Sequence, residues 1–255
     1  MKGFSAFFRK EFTYQLRSGK LFGMAAVFIL FAILSPATAK LMPKLLDSLG
    51  GSGSGAAFTV TIGEVTAFHS WQQFFNNIST SLIVFVLMQS GCFTNEYRSG
   101  TLVLALTKGL SRGKVLAAKG LMLILLWTGL YWVSFGICCG YTGVYWQSGA
   151  ENVFTAALYW WVYGLFFTVL TVFFSAFLNG MAGVLAAVGG TLVVYRLLSM
   201  IPKLAPYLPT KLSEAEPLLL GEAVPGDYVT ALMITAAVIA AAAIASKPLF
   251  DRKTI

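Results

Sequence analysis

A few residues in this sequence are of types and spacings that could do chemistry. Gly109-Leu110-Ser111-Arg112-Gly113-Lys114 approaches a phosphate-binding loop. That loop needs glycine where Lys108 stands and a hydroxyl residue where Val115 stands, so the nucleotide-cradling geometry is not encoded. His69 is the single histidine, which excludes histidine-rich metal sites and paired-imidazole acid–base schemes. Its expected role, close to Trp71, is an interfacial anchor. Cys92, Cys138 and Cys139 all fall in apolar stretches and read as buried thiols, neither a disulfide framework nor a metal site. No catalytic constellation remains, and no cofactor or metal is expected to bind.

The remaining chemistry is charge, concentrated in a polar island at Asn95-Glu96-Tyr97-Arg98-Ser99-Gly100-Thr101. Five basic residues lie between Arg98 and Lys119, and they frame the short apolar run Leu102–Leu106. That run is far shorter than the ~20 residues a bilayer crossing needs, but it suffices for a short helix. Glu96 and Arg98 are placed to fasten the end of the preceding helix to this loop. Leu102, Leu106 and Leu110 recur at i+4 as a candidate apolar contact for a partner. Lys108, Arg112 and Lys114 are placed to meet acidic groups or lipid phosphate.

The elements that must position this island are read from hydropathy. The chain has 255 residues, 57% hydrophobic and 11% charged, with mean hydropathy +0.76. That composition is an integral membrane protein's, all-α by its segment lengths. Spans are expected at about 21–39, 76–94, 115–138, 153–177, 181–200 and 227–246, with the fourth and fifth forming a tight hairpin. Thirteen of the eighteen Lys and Arg residues fall on the side of the N-terminus and five on the other. Both termini and the island at 95–114 are therefore expected in the cytoplasm, with segments 40–75 and 201–226 outside. The first of these holds a Gly/Ser-rich linker and the second five prolines that preclude one continuous helix. Because the basic residues sort to one membrane face, the net charge of +8 does not argue for nucleic acid.

Residues 1–20 carry Phe4, Phe8, Phe12 and Leu16 at i+4, with Arg9 and Lys10 elsewhere around the helix. This predicts an amphipathic surface helix, apolar face in the lipid headgroup layer and basic face towards anionic lipid. A retained first span, not a cleaved signal, follows it. Small residues crowd the fifth and sixth spans and allow close helix approach, within the subunit or across a dimer. Trp127, Tyr131, Trp132, Tyr159, Trp160, Trp161 and Tyr163 read as interfacial belts, with a cavity for an amphipathic cargo as the other reading. Ionisable groups deep in the spans are nearly missing, which argues against a carrier driven by protons or sodium.

A surface N-terminal helix, six spans, and a first cytoplasmic loop with Glu96, Arg98, Gly100-Thr101-Leu102 and Ser111-Arg112 before Lys119 resembles the ABC-2 type permeases. The layout covers the whole chain, while the specific residues are confined to about 95–119. Gly109 departs from the proline frequent in that family two residues before the Ser-Arg pair. The resemblance implies a membrane subunit that pairs with a second permease copy and two ATP-binding subunits, which carry the ATP and Mg. It implies that the loop after the second span is a coupling helix seated on the ATPase. Export of a hydrophobic or amphipathic cargo from a bacterial plasma membrane follows as an expectation, for example a peptide toxin, bacteriocin or antibiotic. Exporters of amphipathic peptides such as phenol-soluble modulins fit this size and pattern. A non-transporting scaffold or sensor, or a lipid-acting intramembrane enzyme, stands as the alternative.

Overall fold

The structure is a computed structural model that describes residues 2–50, 65–100, 102, 107, 111–146 and 149–252. For residues 2, 3, 43–50, 98 and 99 it describes the backbone alone. Among the described residues the fold is helical throughout, without a strand. The helices are α1 (Lys2–Arg17), α2 (Lys20–Gly50), α3 (Ala67–Gln89), α4 (Thr94–Ser99), α5 (Arg112–Tyr145), α6 (Val153–Phe177), α7 (Met181–Ser199), α8 (Glu216–Leu219) and α9 (Val229–Asp251). Between α7 and α9 the proline-rich segment breaks into the single turn α8 and short 3₁₀ pieces at Ala205–Tyr207, Pro209–Ser213 and Pro225–Tyr228. Among the described residues, six helices are long and apolar enough to cross a membrane. Helix α1 and the end of α9 pack together at one end of this bundle, called here the near end; the proline-rich segment caps the far end.

Several boundaries differ from the hydropathy reading. Helix α3 begins at Ala67, where a span was expected only from residue 76. The intervening residues alternate polar and aromatic types, which dilutes their hydropathy. Yet Trp71, Phe74 and Phe75 are buried against the core and hold the extra turns in place. Helix α2 runs on to Gly50, well into the stretch expected as an outer segment, and accommodates Pro36 within it. Residues 51–64, with most of the glycine-rich linker, lie outside the described residues. His69 helps to start α3. Its Nδ1 accepts the Thr66 backbone N–H at 3.4 Å, closing the first turn of α3.

The core corrects the aromatic-belt expectation. Trp127, Tyr131, Tyr159, Trp160 and Tyr163 are buried between α3, α5 and α6. Their polar atoms mostly find backbone partners. Trp127 Nε1 donates to the Trp161 carbonyl at 3.1 Å, and the Tyr131 hydroxyl donates to Ala157 at 2.7 Å. Gly164 is required where α6 crosses this layer, because a Cβ there would collide with the Trp127 indole. At the far end the Tyr159 and Tyr228 rings stack at 5.2 Å, and their hydroxyls donate to the carbonyls of Pro225 and Glu214. The capping segment is thereby tied onto α6. By contrast, α7 and α9 turn most of their surface outward, and Gly183, Ala186, Gly189 and Gly190 of α7 are exposed or nearly so. Their small side chains are not used for packing within this subunit.

Candidate functional site

The near end is held by charge. Helix α1 was expected to lie on the lipid with Phe4, Phe8, Phe12 and Leu16 facing down. In the structure Phe7, Glu11 and Gln15 form the face turned into the protein, each less than a tenth exposed. Phe4 and Phe8 stack on each other beside this face, half-buried, while Phe12 is 46% exposed and Arg9 points to the surface. The helix is thus docked along one side by polar groups as well as apolar ones.

Glu11 meets Lys119, a residue two helical turns into α5 and only 3% exposed. Lys119 Nζ lies 2.9 Å from Glu11 Oε2 and 3.2 Å from Glu96 Oε2. It also donates to the Cys92 carbonyl at 3.0 Å. Lys10 Nζ closes the ring from outside, 2.6 Å from Glu96 Oε1 and 3.1 Å from Glu11 Oε1. Two ammonium groups and two carboxylates therefore bridge α1, α4 and α5. Burial pulls the Lys10 ammonium down, but the hydrogen bond to Glu96 and the charges of Glu11 and Glu96 outweigh it, so its pKa lies above the ordinary value. One turn along, the Gln15 and Gln89 amides pair reciprocally at 3.1 and 3.3 Å, stitching α1 to α3. A cavity of about 470 Å³ opens beside the cluster, bordered by Lys20, Gln89 and Asn95.

Other bonds extend the joint to the remaining helices. The Tyr97 hydroxyl donates to the carbonyls of Ser175 and Ala176, at the end of α6. Arg112 Nη1 donates to the carbonyls of Phe250 and Asp251 at 3.0 Å each, satisfying the otherwise open C-terminus of α9. Gly100 terminates α4 with φ +67°, a left-handed conformation that glycine adopts without strain. Ser111 precedes α5 in extended conformation, and Lys114 is exposed.

The structure sorts the residues singled out from sequence. Glu96 fastens α4, but to α1 and α5. Arg98's side chain, Thr101, Leu106 and Leu110 lie outside the described residues. Leu102 departs from its expected outward role: it is 1% exposed, packed within the chain in the cluster of Phe93, Val115 and Phe250. Thr107 is helical and exposed, so the stretch between α4 and α5 has helical backbone at both described points. Sequence reasoning passed over Glu11, Gln15, Gln89 and Tyr97. A lysine four residues inside an apolar run was the signal available, because a buried ammonium requires an acidic partner.

Among the described residues no group of His, Cys, Asp and Glu side chains is placed to hold a metal ion, and the charges of this cluster join helices. The family model described as ABC-2 family transporter protein matches residues 5–220. No curated protein matches the chain.

Proposed function

The chain belongs to the ABC-2 transporter family, a membrane permease of an ABC transporter that relies on an ATP-binding partner, and on that premise we propose that it exports an amphipathic or hydrophobic cargo. In this reading two copies of the chain assemble with two ATP-binding subunits, which supply ATP and Mg. The termini and the near end face the cytoplasm of a bacterial cell, as the lysine and arginine distribution favours. Peptide toxins, bacteriocins or membrane-active antibiotics are the cargo class, because ordinary ionic solutes would need charged groups along the spans.

The observation that carries this reading is the buried ion cluster of Lys10, Glu11, Glu96 and Lys119. It bridges α4 and α5, the two helices that flank residues 100–111 in the sequence, the element proposed to seat on the ATP-binding subunit. A displacement of that stretch is transmitted through α4 to α1 and α5 together, since each shares a charge with Glu96. The other bonds of the joint, from Tyr97 to α6 and Arg112 to α9, couple the remaining helices to the same motion. Leu106 and Leu110, from the sequence pattern, form the proposed apolar contact to the partner, and Leu102 anchors the stretch from within.

The test is affinity purification from the native host in mild detergent, with Leu106→Asp in parallel. An ATP-binding-cassette subunit is expected to co-purify with the parent and to be lost with Leu106→Asp. A parent protein that purifies intact without an ATPase overturns the permease assembly and favours the scaffold reading.

A further inference from the structure

At the far end an open cavity of about 440 Å³ is bordered by α3, α6, α7 and the proline-rich cap. Its rim carries Glu214, Glu216 and Glu222, and Arg196 of α7 borders it. Some of this charge is already used. Glu214 pairs with Lys211 at 2.8 Å, and Glu216 accepts from Gln72 at 3.0 Å. Arg196 and Glu222 form no ion pair among the described residues. The floor holds a second signal. Trp160 is 3% exposed, and among the described residues its buried Nε1–H finds no acceptor. An orphaned buried donor is costly, and Trp160 borders a polar space large enough for a ligand.

Below this cavity the same three helices form an apolar furrow of about 170 Å³. Leu82 and Val86 of α3, Phe167 of α6, and Val188 and Leu192 of α7 line it. On α3, α6 and α7 alike the furrow residues lie further from the capped end than those of the upper cavity: Leu82 and Val86 follow Ser79, Phe167 follows Trp160, and Leu192 and Val188 precede Arg196. The cleft therefore changes character with depth: carboxylates at the rim, then a guanidinium and an indole N–H, then hydrocarbon. Trp160 stands seven residues into α6, about 10 Å from the helix start.

We propose that this cleft binds a phospholipid with a primary-ammonium headgroup, drawn from the leaflet opposite the chain termini. The ammonium pairs with Glu222 and Glu216 at the rim. The phosphate accepts from Trp160 Nε1 and faces Arg196, and an acyl chain lies in the furrow between α3 and α7. The depth order of the three environments is the order of ammonium, phosphate and chain in such a lipid, and favours it over a peptide. The assignment of leaflet rests on the orientation proposed above. The site itself does not, and it requires neither cargo nor ATP-binding subunit.

The test is native mass spectrometry of the purified full chain, with added phosphatidylethanolamine, phosphatidylcholine or phosphatidylglycerol as the probe. Phosphatidylethanolamine adducts are expected to persist at least about tenfold more than the other two. Glu222→Gln and Trp160→Phe are each expected to abolish most of that preference while the protein stays monodisperse. Glu222→Gln, at an exposed rim position, keeps the test open should Trp160→Phe disturb the fold. Equal retention of all three lipids, or a preference unchanged by both substitutions, overturns the proposal. Displacement of the lipids by a lysine-rich amphipathic peptide, without any phosphatidylethanolamine preference, also overturns it and assigns the cleft to cargo. Because no ATPase is present, neither result depends on the permease assembly.

Discussion

Replacing Lys119 by methionine is the most informative perturbation of the near-end joint. Methionine keeps the length and apolar stem but deletes the ammonium shared by Glu11, Glu96 and the Cys92 carbonyl. At about 3 Å and an effective dielectric near 20, each ion pair has a gross attraction of about 5 kcal/mol. Desolvation of a group only 3% exposed cancels most of that, so the useful quantity is the cost of orphaning the buried partners. Removing one member of a buried pair costs about 3–5 kcal/mol. Lys10 remains 3.1 Å from Glu11 and 2.6 Å from Glu96, which places the loss at the lower end, about 3 kcal/mol. On the scale of a chain of this size, that is a fall in Tm of roughly 6–12 °C. The assay is thermal unfolding in lipid nanodiscs, with Glu11→Gln combined with Lys119→Met as the compensating pair. The double variant should recover part of the loss, because the orphaned charge is gone. A Tm for Lys119→Met within about 1 °C of the parent refutes the claim that this cluster is buried and strained by its removal.

Three further outcomes are expected. Gln89→Leu leaves the Gln15 amide buried without its partner and should cost about 1–3 kcal/mol, while Gln15→Leu with Gln89→Leu should be milder, both read by thermal unfolding. Gly164→Ala forces a methyl into the Trp127 indole and should cost about 1–3 kcal/mol, with relief expected on adding Trp127→Phe in the same assay. The Lys10 pKa is raised above 10.5, so its contribution is complete below that value and is lost as pH rises through the folded pKa. The stability gap between the parent and Lys10→Met, measured by denaturation across pH, should therefore stay level at neutral pH and narrow only above about 10.5.

How much of this was legible in the sequence depended on whether side-chain chemistry and environment agreed. Helix α6 spans Val153–Phe177, the range hydropathy marks, because every turn of it is apolar. Helix α3 was read nine residues short, because Gln72, Gln73, Asn76 and Asn77 lower the local hydropathy while the neighbouring aromatics supply the burial. The loop at 95–114 stood out by composition, and in the structure Glu96 fastens α4 to α1 and α5. The direction of that fastening was not legible, because the partners Glu11 and Lys119 are 108 residues apart. A carboxylate and an amide on a helix face ordinarily mark the solvent side. Here two lysines neutralise Glu11 and a second glutamine satisfies Gln15, so the polar face of α1 is the buried one. The aromatic residues of α5 and α6 failed as a belt for a related reason. Backbone carbonyls of neighbouring helices meet most of their hydrogen-bonding needs inside the bundle.

The most direct measurement of the proposed mechanism is ATP hydrolysis by the complex reconstituted in liposomes, with and without amphipathic peptide, comparing the parent with Glu96→Gln. Glu96→Gln keeps the side-chain shape but removes the charge shared by Lys10 and Lys119. The expected result is a complex that assembles with its ATP-binding subunits yet loses peptide-stimulated hydrolysis. Undiminished stimulation in an intact Glu96→Gln complex would contradict transmission through the charged joint.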